Sequence, residues 1–190
     1  MFYWFSWLVL RLILFLRCRF VIKGLSNVPR KGGLIILANH RDYTDPEVAG
    51  CAIYFRRMYF MAKEELFHHF FFKRLITSLG AFPVKRGELS KELIRTTTTM
   101  LKSGKMIIIY GEGTRNRDPN VPLLPIKPGF AFLAKLADVP VVPVLLKGTP
   151  DLLRTKKWRP TVSVQFGKPI FDSNIQSLTA KVQAILLDMV

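Results

Sequence analysis

The stretch that most constrains this chain is the apolar run Leu34-Ile35-Ile36-Leu37-Ala38, followed at once by the polar loop Asn39-His40-Arg41-Asp42-Tyr43-Thr44-Asp45 and then Pro46-Glu47. A five-residue run with β-branched isoleucines at its centre and no polar alternation fits a strand covered on both faces. Asp-Pro-Glu then supplies first-turn helix chemistry, so the loop opens at the carboxyl end of a buried strand. In open α/β sheets that edge is where ligand crevices form.

Of the three histidines, His40 is the one in such a place. Asp45, five positions on, can fold back to the imidazole across one turn. A carboxylate on one ring nitrogen fixes the tautomer and leaves the other nitrogen free to take a proton. The alternative is that Asp45 is only a helix cap, since Asp before Pro is a common helix start. Thr44 with Glu47 also satisfies a capping box, which would leave the Asp45 carboxylate for His40.

The rest of the chain alternates short apolar runs with helical patterns. Strands are expected at residues 20–24, 58–61, 81–84, 105–110, 141–146 and 161–166, the last at a sheet edge. Helices are expected over about 46–54, 63–78, 90–103, 127–137 and 178–189, with Gly80 and Ser90 as caps. The order argues a single α/β domain with a largely parallel or mixed central sheet flanked by helices. His68 and His69 are adjacent and so point apart on a helix. They read as surface, and Phe67, Phe70, Phe71 and Phe72 as core or acyl-contact side chains.

Residues 2–16 are apolar except for Ser6 and Arg11. About 15 residues at 1.5 Å each reach roughly 23 Å, short of a ~30 Å hydrocarbon core. The segment also lacks the basic start and small-residue cleavage site of a signal peptide. Tyr3, Trp4 and Trp7 suit the headgroup level, so residues 1–19 read as an interfacial membrane-associating helix ahead of a domain at 20–190. A helix buried in the domain or in a dimer interface is the alternative. Lys156-Lys157-Trp158-Arg159 reads either as a further interfacial contact or as a solvated turn.

Lys and Arg number 29 against 13 Asp and Glu, a formal charge of +16, which implies an anionic partner. Nucleic acid is disfavoured, because no recognised binding motif appears and the apolar N-terminus would be unexplained. Cys18 and Cys51 have no second ligand at metal spacing, so neither a zinc site nor a disulfide framework is expected.

Three polar clusters thus fall at strand ends: His40 with Asp45, Arg86, and Glu112-Gly113-Thr114-Arg115. Together they suit a shared crevice for an anionic substrate, with guanidinium forks for phosphate and glycines that let backbone amides approach.

At these residues the chain resembles the lysophosphatidic acid acyltransferases. His40-Arg41-Asp42-Tyr43-Thr44-Asp45 matches that family's HxxxxD motif. Gly80 to Arg86 is similar to its second motif, Tyr110 to Arg115 to its third and Val139 to Val144 to its fourth, in order and over roughly residues 20–170. Asp42 stands where serine is common and Gly111 where proline is common. The first places an extra carboxylate beside His40 that can compete for its proton, and the second loosens the turn before Glu112.

The resemblance implies direct acyl transfer from acyl-CoA or acyl-carrier protein to a lysophospholipid, without a metal or resident cofactor. His40 would be the general base and Asp45 its partner. Arg86 and Arg115 would hold phosphate, while Glu112, Gly113 and Thr114 would line the acceptor site. It also implies a peripheral or monotopic place at the cytoplasmic face of a membrane with an anionic surface. Another lyso-lipid or glycerol 3-phosphate as acceptor, and a catalytically silent adaptor of the same fold, remain the alternatives.

Overall fold

The computed structural model describes residues 2–84, 90–150, 152 and 158–190. Its centre is a seven-stranded sheet ordered β1-β7-β6-β2-β5-β3-β4. The strands are β1 (Arg19–Lys23), β2 (Leu34–Ala38), β3 (Met58–Lys63), β4 (Ala81–Val84), β5 (Met106–Tyr110), β6 (Val141–Lys147) and β7 (Thr161–Phe166). All pairings are parallel except β6 with β7. The sheet is therefore mixed but largely parallel, the parallel part being what the alternation of strands and helices argues for.

β2 lies in the middle, between β5 and β6, and all five of its residues are buried. Because successive side chains alternate across a strand, its residues divide between two cores. Leu34, Ile36 and Ala38 join one with Val48, Cys51 and Met58; Ile35 and Leu37 join the other with Leu101, Phe130 and Val182. Helices α1 (Phe2–Arg17) and α2 (Asp45–Ala52) contribute to the first, and α4 (Lys91–Lys102), α5 (Gly129–Ala137) and α6 (Ile175–Asp188) to the second.

Two expectations need correction. β7 is not an edge strand, since β1 pairs along it from Arg19↔Thr161 to Lys23↔Gln165 and takes the edge itself. Arg19 and Lys23 at the two exposed ends of β1 suit that place, because charge discourages pairing with another chain. Nor does one helix run over 63–78. β3 extends to Lys63, a 3-10 turn covers Glu64–Phe67, and the chain returns to extended backbone at His69 before α3 (Phe70–Ser78). Ser90 does cap α4, its hydroxyl accepting from Leu93 N–H at 3.1 Å.

α1 packs on α2 with Leu14 buried, while Trp7 donates to Gly50 O at 3.1 Å and Arg11 donates to Cys51 O. Its other side exposes Phe5, Leu8, Leu12, Phe15 and Leu16. It is thus half packed and half bare, not buried all round. No helix among the described residues is long and apolar enough to cross a membrane.

Candidate active site

Ala38 and Tyr110 are paired at the ends of two parallel neighbours, so the loops after β2 and β5 leave the sheet side by side. His40 begins the first, and Glu112 to Arg115 occupy the second. β3 and β4 run in the same direction. The described part of β4 stops at Val84, so Arg86 lies outside the described residues.

His40 and Asp45 meet, with Nδ1 2.7 Å from Asp45 Oδ2. The same oxygen accepts Arg41 N–H at 2.7 Å and Asp42 N–H at 2.9 Å. Asp45 is fully buried and opens the first turn of α2, where the helix dipole favours a negative charge. A carboxylate oxygen that receives two backbone donors is held in place before the imidazole arrives. As an acceptor it takes Nδ1–H, which leaves Nε2 with a lone pair.

The expected capping box at Thr44 does not form, for the Thr44 side chain caps nothing. Asp42 engages the threonine instead: its Oδ1 accepts Thr44 N–H at 3.1 Å and Thr44 hydroxyl at 3.2 Å, while its own N–H goes to Asp45. A short acidic side chain that bonds its own turn competes successfully with the threonine. Asp42 is therefore a turn-former.

His40 also stacks on Tyr110, with ring centroids 4.1 Å apart and planes 20° from parallel. Burial pushes the Tyr110 phenol well above its usual range, with the Asp45 and Glu47 charges adding to the shift, so the ring is a neutral floor under the imidazole. Tyr110 carries no local signal for this role beyond opening the third motif and standing last in its strand before the Gly-Glu-Gly turn.

Glu112 faces inward. Oε1 accepts His40 N–H at 2.7 Å and Oε2 accepts Leu124 N–H at 2.9 Å. The residue is buried, and desolvation raises its carboxyl above the usual value although these two bonds oppose the shift. Asn116 adds a second tie, donating its N–H to His40 O at 2.8 Å and its side-chain amide to Val121 O at 2.7 Å. Asn39 joins the loop to β6 through a two-way amide pair with Leu146, 2.7 and 3.0 Å.

Gly111 does not loosen its turn. Its N–H bonds Ala38 O at 3.1 Å and its carbonyl accepts Lys127 N–H at 2.8 Å, while Ile126 packs where a side chain would stand. Gly113 has φ +69°, a conformation that favours glycine, and it is exposed together with Thr114. The Arg115 guanidinium lies 3.4 Å over the exposed ring of Tyr43. Beside it opens a cavity of about 760 Å³ whose lining includes Arg41, Arg115, Arg117 and Lys147. His40 is not in that lining, so the cationic recess and the imidazole occupy neighbouring sides of one loop.

Among the described residues no three His, Cys, Asp or Glu side chains come together as a metal site would require. Cys18 and Cys51 are free and buried, and burial pushes the Cys51 thiol up to about 12.

The Acyltransferase family model matches residues 19–147. A 1-acyl-sn-glycerol-3-phosphate acyltransferase of Bacillus subtilis is 27% identical over 90% of this chain and 84% of its own length. One from Streptococcus pneumoniae is 34% identical over 76% of this chain, which spans about half (52%) of that relative. The crystal structure of the 1-acyl-sn-glycerophosphate acyltransferase PlsC of Thermotoga maritima superposes with a TM-score of 0.75 at 26% identity, covering 93% of this chain and 72% of that one.

Proposed function

The chain belongs to the Acyltransferase family, and from that premise we propose that it moves a fatty acyl group from acyl-CoA or acyl-carrier protein to the free hydroxyl of lysophosphatidic acid, giving phosphatidic acid. The observation that carries this reading is the His40–Asp45 pair, 2.7 Å apart at the carboxyl end of the central strand. The names of the relatives supply the acceptor.

Nε2 of His40 takes the proton from the acceptor hydroxyl as its oxygen attacks the thioester carbonyl. The ester C–O bond forms, the C–S bond breaks, and the imidazolium returns the proton to the leaving thiolate. Asp45 orients the ring and stabilises its charged form. Arg115 and Arg86 hold the acceptor phosphate through paired guanidinium hydrogen bonds. Gly113 and Thr114 line the acceptor side, and Glu112 sets the height of the His40 backbone beneath it.

In this reading residues 1–19 lie in the interface at the cytoplasmic face, and 20–190 form the catalytic domain. The basic body would add about 1 kcal/mol per Lys or Arg close to an anionic surface. The test is a panel of acceptors, each supplied with labelled acyl-CoA and labelled acyl-carrier protein, with the products identified by mass. Phosphatidic acid as the main product supports the reading. A preference for another lyso-lipid or for glycerol 3-phosphate would move the acceptor, and no transfer to any of them would leave a silent protein of this fold.

A further inference from the structure

The phenylalanines after β3 do not join the core. Phe70, Phe71 and Phe72 are 70%, 85% and 42% exposed, with Leu66 and Leu75 also bare, and α3 is fastened mainly through Ile76. Five large apolar side chains bare within residues 66–75, with the Phe70 and Phe71 rings in contact, centroids 5.5 Å apart, carry a cost in water that a scattered leucine does not. Lys73 and Arg74 on the same helix are exposed as well. Aromatic rings beside cations suit the headgroup level of an anionic bilayer.

This patch is tied to α1. The Arg57 guanidinium lies 5.1 Å over the Tyr3 ring in the first turn of α1 and donates to Thr77 O and Ser78 O, at 2.9 and 2.8 Å, in the last turn of α3. Leu79 shares a small apolar gap with Tyr3, Trp7 and Leu10. At the opposite end of α1, Arg159 donates to Phe15 O at 2.9 Å and lies over that ring, next to Trp158, which is 88% exposed. Trp158, the bare side of α1 and α3 therefore follow one another along the molecule.

We propose that α3 is a second membrane-contacting element, and that Phe70, Phe71 and Phe72 enter an anionic lipid surface alongside α1. The inference rests on the reading that α1 lies at the interface. It adds that the domain is held at more than one place and is therefore fixed in orientation. A single helix would leave the body free to rotate about its axis; a second contact off that axis, on α3, removes that freedom. α2, whose first turn carries Asp45, packs directly on α1. A fixed orientation would therefore keep the loop after β2 in one attitude to the lipid.

The test uses the full chain and vesicles of phosphatidylcholine with phosphatidylglycerol. Cys18 and Cys51 are buried, so a Phe71→Cys variant can be labelled selectively with an environment-sensitive fluorophore. The expected result is a blue shift on vesicle addition, quenching by a nitroxide placed at headgroup depth, and at least about tenfold weaker vesicle partition for Phe70→Ser/Phe71→Ser/Phe72→Ser. The labelled variant keeps the other phenylalanines, so a folding defect in the triple variant would not mask the answer.

An unchanged spectrum at position 71 on vesicles that do bind the wild type would overturn the proposal while leaving the α1 reading intact. So would a blue shift that follows protein concentration without lipid, the sign that a second copy covers the patch. Wild-type protein that binds no vesicles would overturn both readings together.

Discussion

The loops after β2 and β5 leave adjacent parallel strands, yet they are built in opposite ways. In the first, the Asp45 oxygen that meets His40 also receives two backbone amides, and the His40 backbone is bonded on both sides, by Glu112 and by Asn116. In the second, Gly113 and Thr114 are exposed and Arg115 rests on an exposed tyrosine. In the function proposed above, the difference separates two tasks. A proton transfer needs its donor and acceptor placed to within tenths of an ångström, so that part is locked by the fold. Grip on a mobile headgroup can be completed when the substrate arrives, so that part stays at the surface.

The contrast can be broken by substitutions on either side. Asp45→Asn keeps the size but offers the imidazole the wrong partner, and should lower turnover on the order of 10⁴-fold, as in a serine-protease triad, without unfolding the domain. Circular dichroism beside steady-state rates checks both halves of that statement. His40→Ala should reduce transfer at least as far.

On the second loop the loss should be smaller and of another kind. Arg115→Lys removes the planar fork, so KM for the acceptor should rise about tenfold while kcat and the donor KM hold. Varying each substrate separately distinguishes this from a role in donor binding, which would move the donor KM instead.

Glu112→Gln joins the two regions. It turns an acceptor of two backbone N–H groups into one that can satisfy a single donor, at a cost of about 1–3 kcal/mol, visible as a lower denaturation midpoint. Because burial raises this carboxyl, its contribution is fully present below the usual carboxylate value and is lost as the pH rises through the raised one. The wild-type advantage over the variant should thus be larger in mild acid than at neutral pH. An advantage that grew with pH would show that the hydrogen bonds outweigh the desolvation.

The smallest effect is expected far from the site. Asp172, held down to about 2 chiefly by its bond from Lys181 and also by Ser177, precedes α6. Its contribution is present above the ordinary Asp value and lost as the pH falls towards about 2. Asp172→Asn should lower the melting temperature slightly at pH 7, with the gap narrowing below about pH 4. A gap that did not depend on pH would point to packing.

How much of this was legible beforehand depended on how far apart the interacting residues lie. His40 and Asp45 are five positions apart after an unmistakable buried strand, so their meeting could be read from the sequence. The missing capping box could not, because the Thr44 hydroxyl turns to Asp42 and not to the first turn of α2. Glu112 was placed on the acceptor side from the resemblance, whereas its carboxylate goes to amides 72 and 12 positions away. β7 reads as an edge because it is the last strand of the chain, and no local signal says that the distant β1 will cover it. The phenylalanines of α3 show the limit of pattern alone: a run of three fits a core or a bare surface equally well. Arg86, which the resemblance pairs with Arg115, lies outside the described residues.

The most direct test is to make Asp45→Asn in the His40→Ala background and measure transfer from labelled acyl-CoA to lysophosphatidic acid beside each single variant. If the pair acts as one unit, the double variant should be no slower than His40→Ala alone. A further large loss in the double variant, or near-normal transfer by folded His40→Ala, would contradict the assignment of the proton transfer to this pair.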